Sequence, residues 1–198
     1  MTADGVKPAE IHKLDQPDEF IMLLMRWIHF LSGVTWIGLL YYFNIVQVPF
    51  MKETDPTTKS GVVQKLLPRA LWWFRYGALV TVLSGLIIVS SHFMHGHGHD
   101  MFKTSWGVSI AIGGGLGIIM FLNVWLLIWP NQKVVIRMTT EAAANKTSPP
   151  PEMAKHARVA FLASRTNFFL SFPMLFFMGA FHTMHPACEP CQARVRSL

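Results

Sequence analysis

The segment Arg26-Trp27-Ile28-His29 places two ionisable side chains inside an apolar run that extends from Phe20 to Phe50. Inside a bilayer such groups cost roughly 3 kcal/mol or more, and they normally face a bundle interior, a cavity or a cofactor. An imidazole in this setting can bind haem iron, and an arginine can pair with a carboxylate. The residue types therefore raise the question of which group pairs with His29.

Two further histidines are expected at the same depth as His29. Counted from the inner end of its run at Pro49, His29 lies about 30 Å along a helix. His92 lies 21 residues beyond Leu71, the inner end of a second apolar run, and His182 lies 21 residues beyond Phe161 in a later run. Each count corresponds to about 32 Å. The count predicts three histidines on three helices near the outer face of the membrane.

The neighbours of His29 and His182 favour a flat cofactor between them. Gly33 lies one turn from His29 and Gly179 lies one turn from His182. A porphyrin held edge-on between helices needs a histidine on each face and small residues beside it. Arg26 could pair with a propionate at the interface. The spacing predicts a b-type haem with His29 and His182 as axial ligands.

Other interpretations of these histidines stay open. His92 is an alternative axial ligand if its helix faces the first one closely. A lone histidine near a helix end is also commonly an interfacial residue or a hydrogen-bonding partner. The sequence has no CxxCH motif, so covalent c-type haem attachment is not predicted.

Two other segments contain metal-binding residue types. The stretch 91–101 includes His95, His97 and His99 at alternating positions, which suits copper or zinc. Cys188 and Cys191 form a CxxC that is compatible with a disulfide, half of a metal site or a redox pair. A disulfide is the expected state in an oxidising compartment.

The composition is that of a membrane protein. The chain has 198 residues, of which 52% are hydrophobic and 14% charged, and its mean hydropathy is +0.35. Soluble domains have roughly 25% charged residues. The sequence predicts an all-α integral membrane protein that forms a single domain over 1–198, a bundle of four transmembrane helices. The expected spans are about 20–48, 71–93, 106–129 and 160–182, with an extramembrane N-terminal segment 1–19 and a C-terminal tail 183–198.

Features inside and between the runs predict how the helices meet. The glycine-rich part of the third run, Gly113 to Gly117, would let another helix or a flat cofactor approach. Asn123 and Asn167 are expected to join helices through hydrogen bonds. The segment Asn145–Glu152, with three consecutive prolines, is expected to be irregular.

The cations predict how the protein is oriented. The net charge of +6 and the pI near 9.6 would suggest nucleic acid for a soluble protein, but here the cations lie between apolar runs. Lysine and arginine are more numerous in the loops between runs one and two and between runs three and four. The positive-inside rule then places both termini outside, on the periplasmic side of a bacterial inner membrane.

Four motifs together resemble the membrane domain of cytochrome-c-type urate oxidases. They cover most of the chain in the order expected for that family, and they are Arg26–Gly38, Trp73–Arg75 with Leu83–Gly85, Ile119–Asn123 with Pro130–Gln132, and Ser164–Asn167 with Pro173–Met178 and His182. The resemblance implies a multispan bacterial membrane domain, and His29 and His182 match histidines of the family motifs. It identifies the chain as a shortened, stand-alone relative without the cytochrome c domain.

The resemblance has two departures that bear on activity. Thr166 stands where the family pattern has a histidine, and Gly77 where it has an acidic residue. Urate oxidation is implied by the family, but these departures favour a non-catalytic redox or accessory role.

The sequence thus predicts a membrane b-type haem protein that transfers electrons as a subunit or partner of a larger redox complex. Its expected partners are the lipid bilayer and either other membrane subunits or a periplasmic cytochrome, and no nucleic acid. The alternatives are a cofactor-free accessory subunit and a copper- or zinc-handling membrane protein.

Overall fold

The computed structural model describes residues 17–94 and 104–183, and these residues form helices and short connections without a strand. Four helices in the described ranges are long and apolar enough to cross a membrane. The elements are α1 Pro17–Tyr41, α2 Val48–Glu53, α3 Pro56–Gly61, α4 Leu67–His92, α5 Ser105–Leu122, α6 Trp129–Ala144 and α7 Glu152–Thr183. Three π-helical segments join successive elements, namely Tyr42–Gln47, Val62–Leu66 and Asn123–Ile128.

Each π segment precedes a proline by one or two residues. The prolines are Pro49, Pro68 and Pro130, and each occupies the first turn of the following α-helical segment. Proline has no N–H to donate, and its ring clashes with the carbonyl four residues earlier. A π turn widens the helix at that point, so the chain accommodates the proline without ending.

A tight turn joins the first two long helices. The first long helix, in which α1 continues through a π segment into α2, ends at Glu53, and α3 begins at Pro56. The Asp55 carboxylate accepts hydrogen bonds from the backbone N–H groups of Thr57 and Thr58 at 2.9 and 3.0 Å. These bonds cap α3. A hydrogen bond from the Thr58 hydroxyl, together with these backbone bonds, lowers the pKa of the Asp55 carboxyl group. The connection is therefore a short capped turn and not a long loop.

Joined through the π segments, α1 and α2 form one long helix, α3 and α4 a second, and α5 and α6 a third, while α7 is the fourth. Each long helix is antiparallel to the next one in the chain. They pack in two principal pairs, α1 with α4 and α5 with α7. We call the end with Asp55 and residues 145–151 the turn end, and the end with Pro17, His92 and Thr183 the terminal end. The buried core lies between the pairs and includes Trp36, Leu40, Phe74, Met120 and Val124.

The outer surface of the bundle is apolar. Exposed side chains along the long helices include Phe30, Leu83, Leu126, Phe169 and Phe176. A large exposed apolar surface on helices of this length is the surface expected for contact with lipid. The described residues therefore form the helices of a multi-pass membrane protein.

The predicted spans and the observed helices agree in number and differ in length. The helices extend beyond the predicted inner ends, because the residues on either side of the three prolines are helical. The predicted irregular segment is confirmed, since residues 145–151 are not helical. The N-terminal helix begins at Pro17, within the predicted extramembrane segment, while residues 1–16 and the tail from 184 lie outside the described ranges.

The end of α6 contains a residue in an unfavourable conformation. Lys146 has φ 53°, and Thr147 N donates to Ala142 O at 2.9 Å, which is the pattern of a Schellman C-cap. Glycine normally occupies this position, because a Cβ in the left-handed region costs roughly 1–2 kcal/mol.

We expect Lys146→Gly to stabilise the protein by about 1 kcal/mol, because glycine removes this steric cost. Unfolding of the detergent-solubilised protein, followed by circular dichroism, measures the change. The matched control is Lys155→Gly within α7, which should destabilise by about 1 kcal/mol through loss of helix propensity. Destabilisation by both changes would contradict the interpretation of the Lys146 backbone.

Candidate functional site

His29 lies beside a close contact between α1 and α4, and small residues make this contact possible. A Cβ on Gly77 would lie 3.4 Å from both Ser32 O and Trp36 N, which are backbone atoms of α1. One turn further, the hydroxyl oxygens of Thr81 and Ser32 are 2.9 Å apart. The two helix backbones are therefore close together on the side of His29 that faces the turn end.

The imidazole of His29 is anchored to α4 by one of its nitrogens. Nδ1 lies 2.8 Å from Thr81 O and 3.3 Å from Ser84 Oγ. A carbonyl oxygen only accepts hydrogen bonds, so Nδ1 is the nitrogen that carries the proton. Nε2 then has a lone pair and makes no hydrogen bond within the described residues. This is the nitrogen that could bind a metal.

Gly85 provides the surface against which the imidazole lies. A Cβ at this position would be 3.0 Å from His29 Cε1 and 3.2 Å from His29 Nδ1. Real side-chain contacts at such distances force one partner to move. The glycine on α4, and not Gly33 on α1, therefore makes the space that His29 occupies.

The glycines and the arginine predicted to surround a porphyrin have different surroundings. A Cβ on Gly33 would meet Thr81 Cγ2 at 3.8 Å, so helix α4 occupies that side. A Cβ on Gly179 would have no heavy atom of another residue within 4 Å. Arg26 is exposed at the terminal end. Of the predicted positions, Gly179 and Arg26 are the open ones.

Of the two candidate partners of His29, the structure describes the side chain of His92 but not that of His182. His92 lies eight residues beyond Ser84, about 12 Å further toward the terminal end than the contact of His29. Its Nδ1 is 3.1 Å from Ile88 O of its own helix. His182 belongs to α7, but its side chain lies outside the described part of the structure.

The equal depth predicted for His29 and His92 is therefore not found. The count assumed inner ends at Pro49 and Leu71, whereas the helices meet at the turn around Asp55. The hydrogen bonds of His29 to Thr81 and Ser84 set the actual register of this pair.

The second predicted metal site cannot be placed. His95, His97, His99, Cys188 and Cys191 all lie outside the described residues. Within residues 17–94 and 104–183, no group of three or more histidine, cysteine, aspartate or glutamate side chains could hold a metal ion.

The two predicted asparagines do join helices. Asn123 Nδ2 donates to Asn167 Oδ1 at 2.9 Å, and Asn167 Nδ2 donates to Met120 O at 2.9 Å. Asn167 is fully buried between α5 and α7. At Gly113 a Cβ would lie 3.2–3.3 Å from Met178 and Phe177, so a helix and not a cofactor approaches this part of α5.

A cation near the turn end was not among the predicted site residues. Arg75 on α4 lies within 4.0–5.0 Å of the ring centres of Tyr76, Trp125 and Trp129. Arg75 Nε and Trp125 Nε1 are buried and have no hydrogen-bond partner among the described residues. The signal in the sequence was an arginine next to aromatic residues within an apolar run, the same kind of signal that His29 gave.

Comparison with known proteins adds no identification. No protein-family model, no curated protein and no solved structure matches this chain. The resemblance to urate oxidase membrane domains therefore stays a prediction from the sequence motifs.

We expect Gly85→Val to destabilise the helix pair by about 1–3 kcal/mol, because the new side chain overlaps the anchored imidazole. Unfolding of the solubilised protein in a denaturing-detergent titration measures the loss. Gly38→Val on α1 is the matched control, because a Cβ there meets nothing within 4 Å. Equal losses for the two variants would mean that the contact with His29 does not determine the effect.

Proposed function

We propose that this protein holds a b-type haem between His29 and His182 and transfers electrons as a subunit or partner of a larger membrane redox complex. The single observation that supports this most is the orientation of His29, whose Nδ1 donates to Thr81 O at 2.8 Å. Histidines that bind metals usually donate their second N–H to a carbonyl or carboxylate in this way. The bond selects the tautomer with a free lone pair on Nε2.

The surroundings of His29 fit the needs of an axial ligand. The ring is half-buried and is held from three sides by Thr81, Ser84 and Gly85 of α4. A ligand held in this way needs little further ordering before iron binds. The bond from Nδ1 to the carbonyl also raises the basicity of Nε2.

The register of α1 against α7 supports His182 as the second ligand. Ser171 Oγ on α7 donates to the hydroxyl oxygen of Tyr41 on α1 at 3.1 Å. From this contact His29 lies twelve residues toward the terminal end on α1, and His182 lies eleven residues toward the same end on α7. Each of these two separations corresponds to about 17 Å along the helix axis. The same reasoning favours His182 over His92, which lies beyond the level of His29.

A bound haem would supply the one-electron chemistry, and the chain would set how it is held. His29 and His182 would determine the axial field, and the bundle would limit access of water. Arg26, which is exposed at the terminal end, would pair with a propionate. With both termini periplasmic, the haem would lie within a bacterial inner membrane, on the periplasmic side of Arg75, and would exchange electrons with a periplasmic cytochrome.

The surface of α1 supports an additional membrane subunit as a partner. The most apolar part of the first long helix has only 6% of its residues buried within the protein. Trp27, Phe30, Leu31 and Val34 are all more than half exposed on this helix. A neighbouring subunit or lipid would cover this surface.

The visible spectrum of the purified protein tests the haem. We expect a b-type α-band in the reduced-minus-oxidised spectrum, and we expect His29→Ala and His182→Ala each to abolish it. His92→Ala and His156→Ala are the histidine controls and should retain the band. His156 lies near the turn end, where its Nδ1 is 2.7 Å from Asn131 Oδ1.

Helical content and elution volume are measured for every variant, so that loss of fold is distinguished from loss of haem. A wild-type protein without the band would overturn the proposal. Loss of the band in His92→Ala but not in His182→Ala would mean that α4, and not α7, provides the second ligand.

A cofactor-free accessory subunit is the second candidate, because the contact from His29 Nδ1 to Thr81 O also joins two helices. In that case the protein has no visible band, and His29→Gln should retain stability that His29→Ala loses. The glutamine amide can donate to the same carbonyl, but it does not replace an axial imidazole.

A further inference from the structure

We propose that Arg75, Trp129 and Lys133 form a binding site for the phosphate of an anionic phospholipid, on the side of the His29 contact that faces the turn end. Arg75 lies nine residues before Ser84 on α4, and the site does not depend on a bound haem. Its ligand class is a phosphodiester that bears one negative charge, with an acyl chain attached.

The guanidinium of Arg75 is held in a ring of aromatic side chains. Its Cζ lies 4.0 Å from the ring centre of Trp129, 4.7 Å from that of Tyr76 and 5.0 Å from that of Trp125. These contacts stabilise a cation, but they satisfy none of its hydrogen-bond donors. The position of the cation is determined by the rings, while its N–H groups have no acceptor among the described residues.

A second cation shares one of these rings. Lys133 Nζ lies 5.6 Å from the ring centre of Trp129. Neither Arg75 nor Lys133 has a carboxylate within ion-pair distance in the described ranges, where the ion pair found is Arg137 with Glu141. Two cations beside one indole without a counter-charge create a positive potential that attracts an anion.

The depth of the site indicates which anion it meets. Trp72 and Trp73 are exposed one turn or less from Arg75, as expected for the aromatic belt at a membrane interface. Arg75 is thus within reach of the lipid headgroups, because a long side chain can extend to the interface from one turn below. Basic clusters between helices at this level are typical sites for anionic lipid headgroups.

The surface next to the cations suits an acyl chain. Leu122 and Leu126 precede Trp129 on the same continuous helix, and both are exposed. A lipid whose phosphate contacts Arg75 and Lys133 would find apolar side chains along this helix. A free phosphate ion would gain nothing from them, so the observations favour a lipid.

Lipid preference of the full-length protein in detergent tests the site. Phosphatidylglycerol and phosphatidylcholine of the same chain length are titrated separately, and bound lipid is counted by native mass spectrometry. We expect the wild-type protein to bind the anionic lipid about tenfold more tightly, as a charge-assisted bidentate contact would provide. Arg75→Gln should remove most of this preference, and Lys133→Gln should reduce it.

Two controls separate this site from general effects. Arg69→Gln removes an exposed cation from the same end of α4 and should leave the preference unchanged. Arg75→Lys preserves the charge without the planar fork and should retain an intermediate preference, which also covers the case in which Arg75→Gln does not fold. Helical content and elution volume identify such a failure.

Three results would overturn the proposal. The first is equal binding of the two lipids by the wild-type protein. The second is an equal loss in Arg69→Gln and Arg75→Gln. The third is that inorganic phosphate at millimolar concentration displaces the anionic lipid completely, because this would assign the site to a soluble anion.

Discussion

The close contact between α1 and α4 determines where the chemically interesting side chains lie. Gly77 lets the two backbones approach so closely that a Cβ on it would already lie 3.4 Å from the backbone atoms Ser32 O and Trp36 N of α1. Thr81 then meets Ser32, and His29 meets the Thr81 carbonyl, so successive turns of α4 are joined to α1 by small or polar groups. In a bilayer no hydrophobic effect drives helices together, and such close packing and hydrogen bonding must take its place. A side chain larger than alanine at Gly77 would push against the α1 backbone and disturb the contact between His29 and Thr81.

The first three long helices continue past a proline each and are therefore longer than the bilayer requires. A span needs about 20 residues, yet the first three long helices extend over 36, 37 and 38 residues. Pro49, Pro68 and Pro130 would each be expected to end or kink a helix, and in each case a π segment absorbs the missing hydrogen bond. The helices therefore continue past the prolines, and the connection between the first two shortens to a turn at Asp55. Since that turn sets the register of the hairpin, the prolines indirectly decide which residue of α4 faces His29.

Apolar run length and buried amides were enough to predict the four helices and that Asn123 and Asn167 join helices through hydrogen bonds, because both follow from the cost of polar groups in lipid. The irregular segment after Asn145 followed from its prolines. The register could not be predicted, since it depends on how a helix responds to proline, and that response is a π turn in these helices. For the same reason the depth of His92 relative to His29 was misjudged by about 10 Å. The cage around Arg75 was missed because its rings come from two distant parts of the chain, Tyr76 on α4 and Trp125 and Trp129 some fifty residues later.

Helix α4 contributes residues to both proposed sites. Near its middle, α4 holds the imidazole of His29 through Thr81 and Ser84, and nine residues before Ser84, toward the turn end, it presents Arg75. That separation corresponds to about 13 Å along the helix axis. A phosphate on Arg75 would fix the height of α4 in the bilayer, because a cation paired at the headgroup level resists movement toward the apolar interior. The depth of His29 would then follow from the same contact, since α4 holds its ring. A lipid phosphate on Arg75 would thus determine, through α4, the depth at which His29 is held in the bilayer.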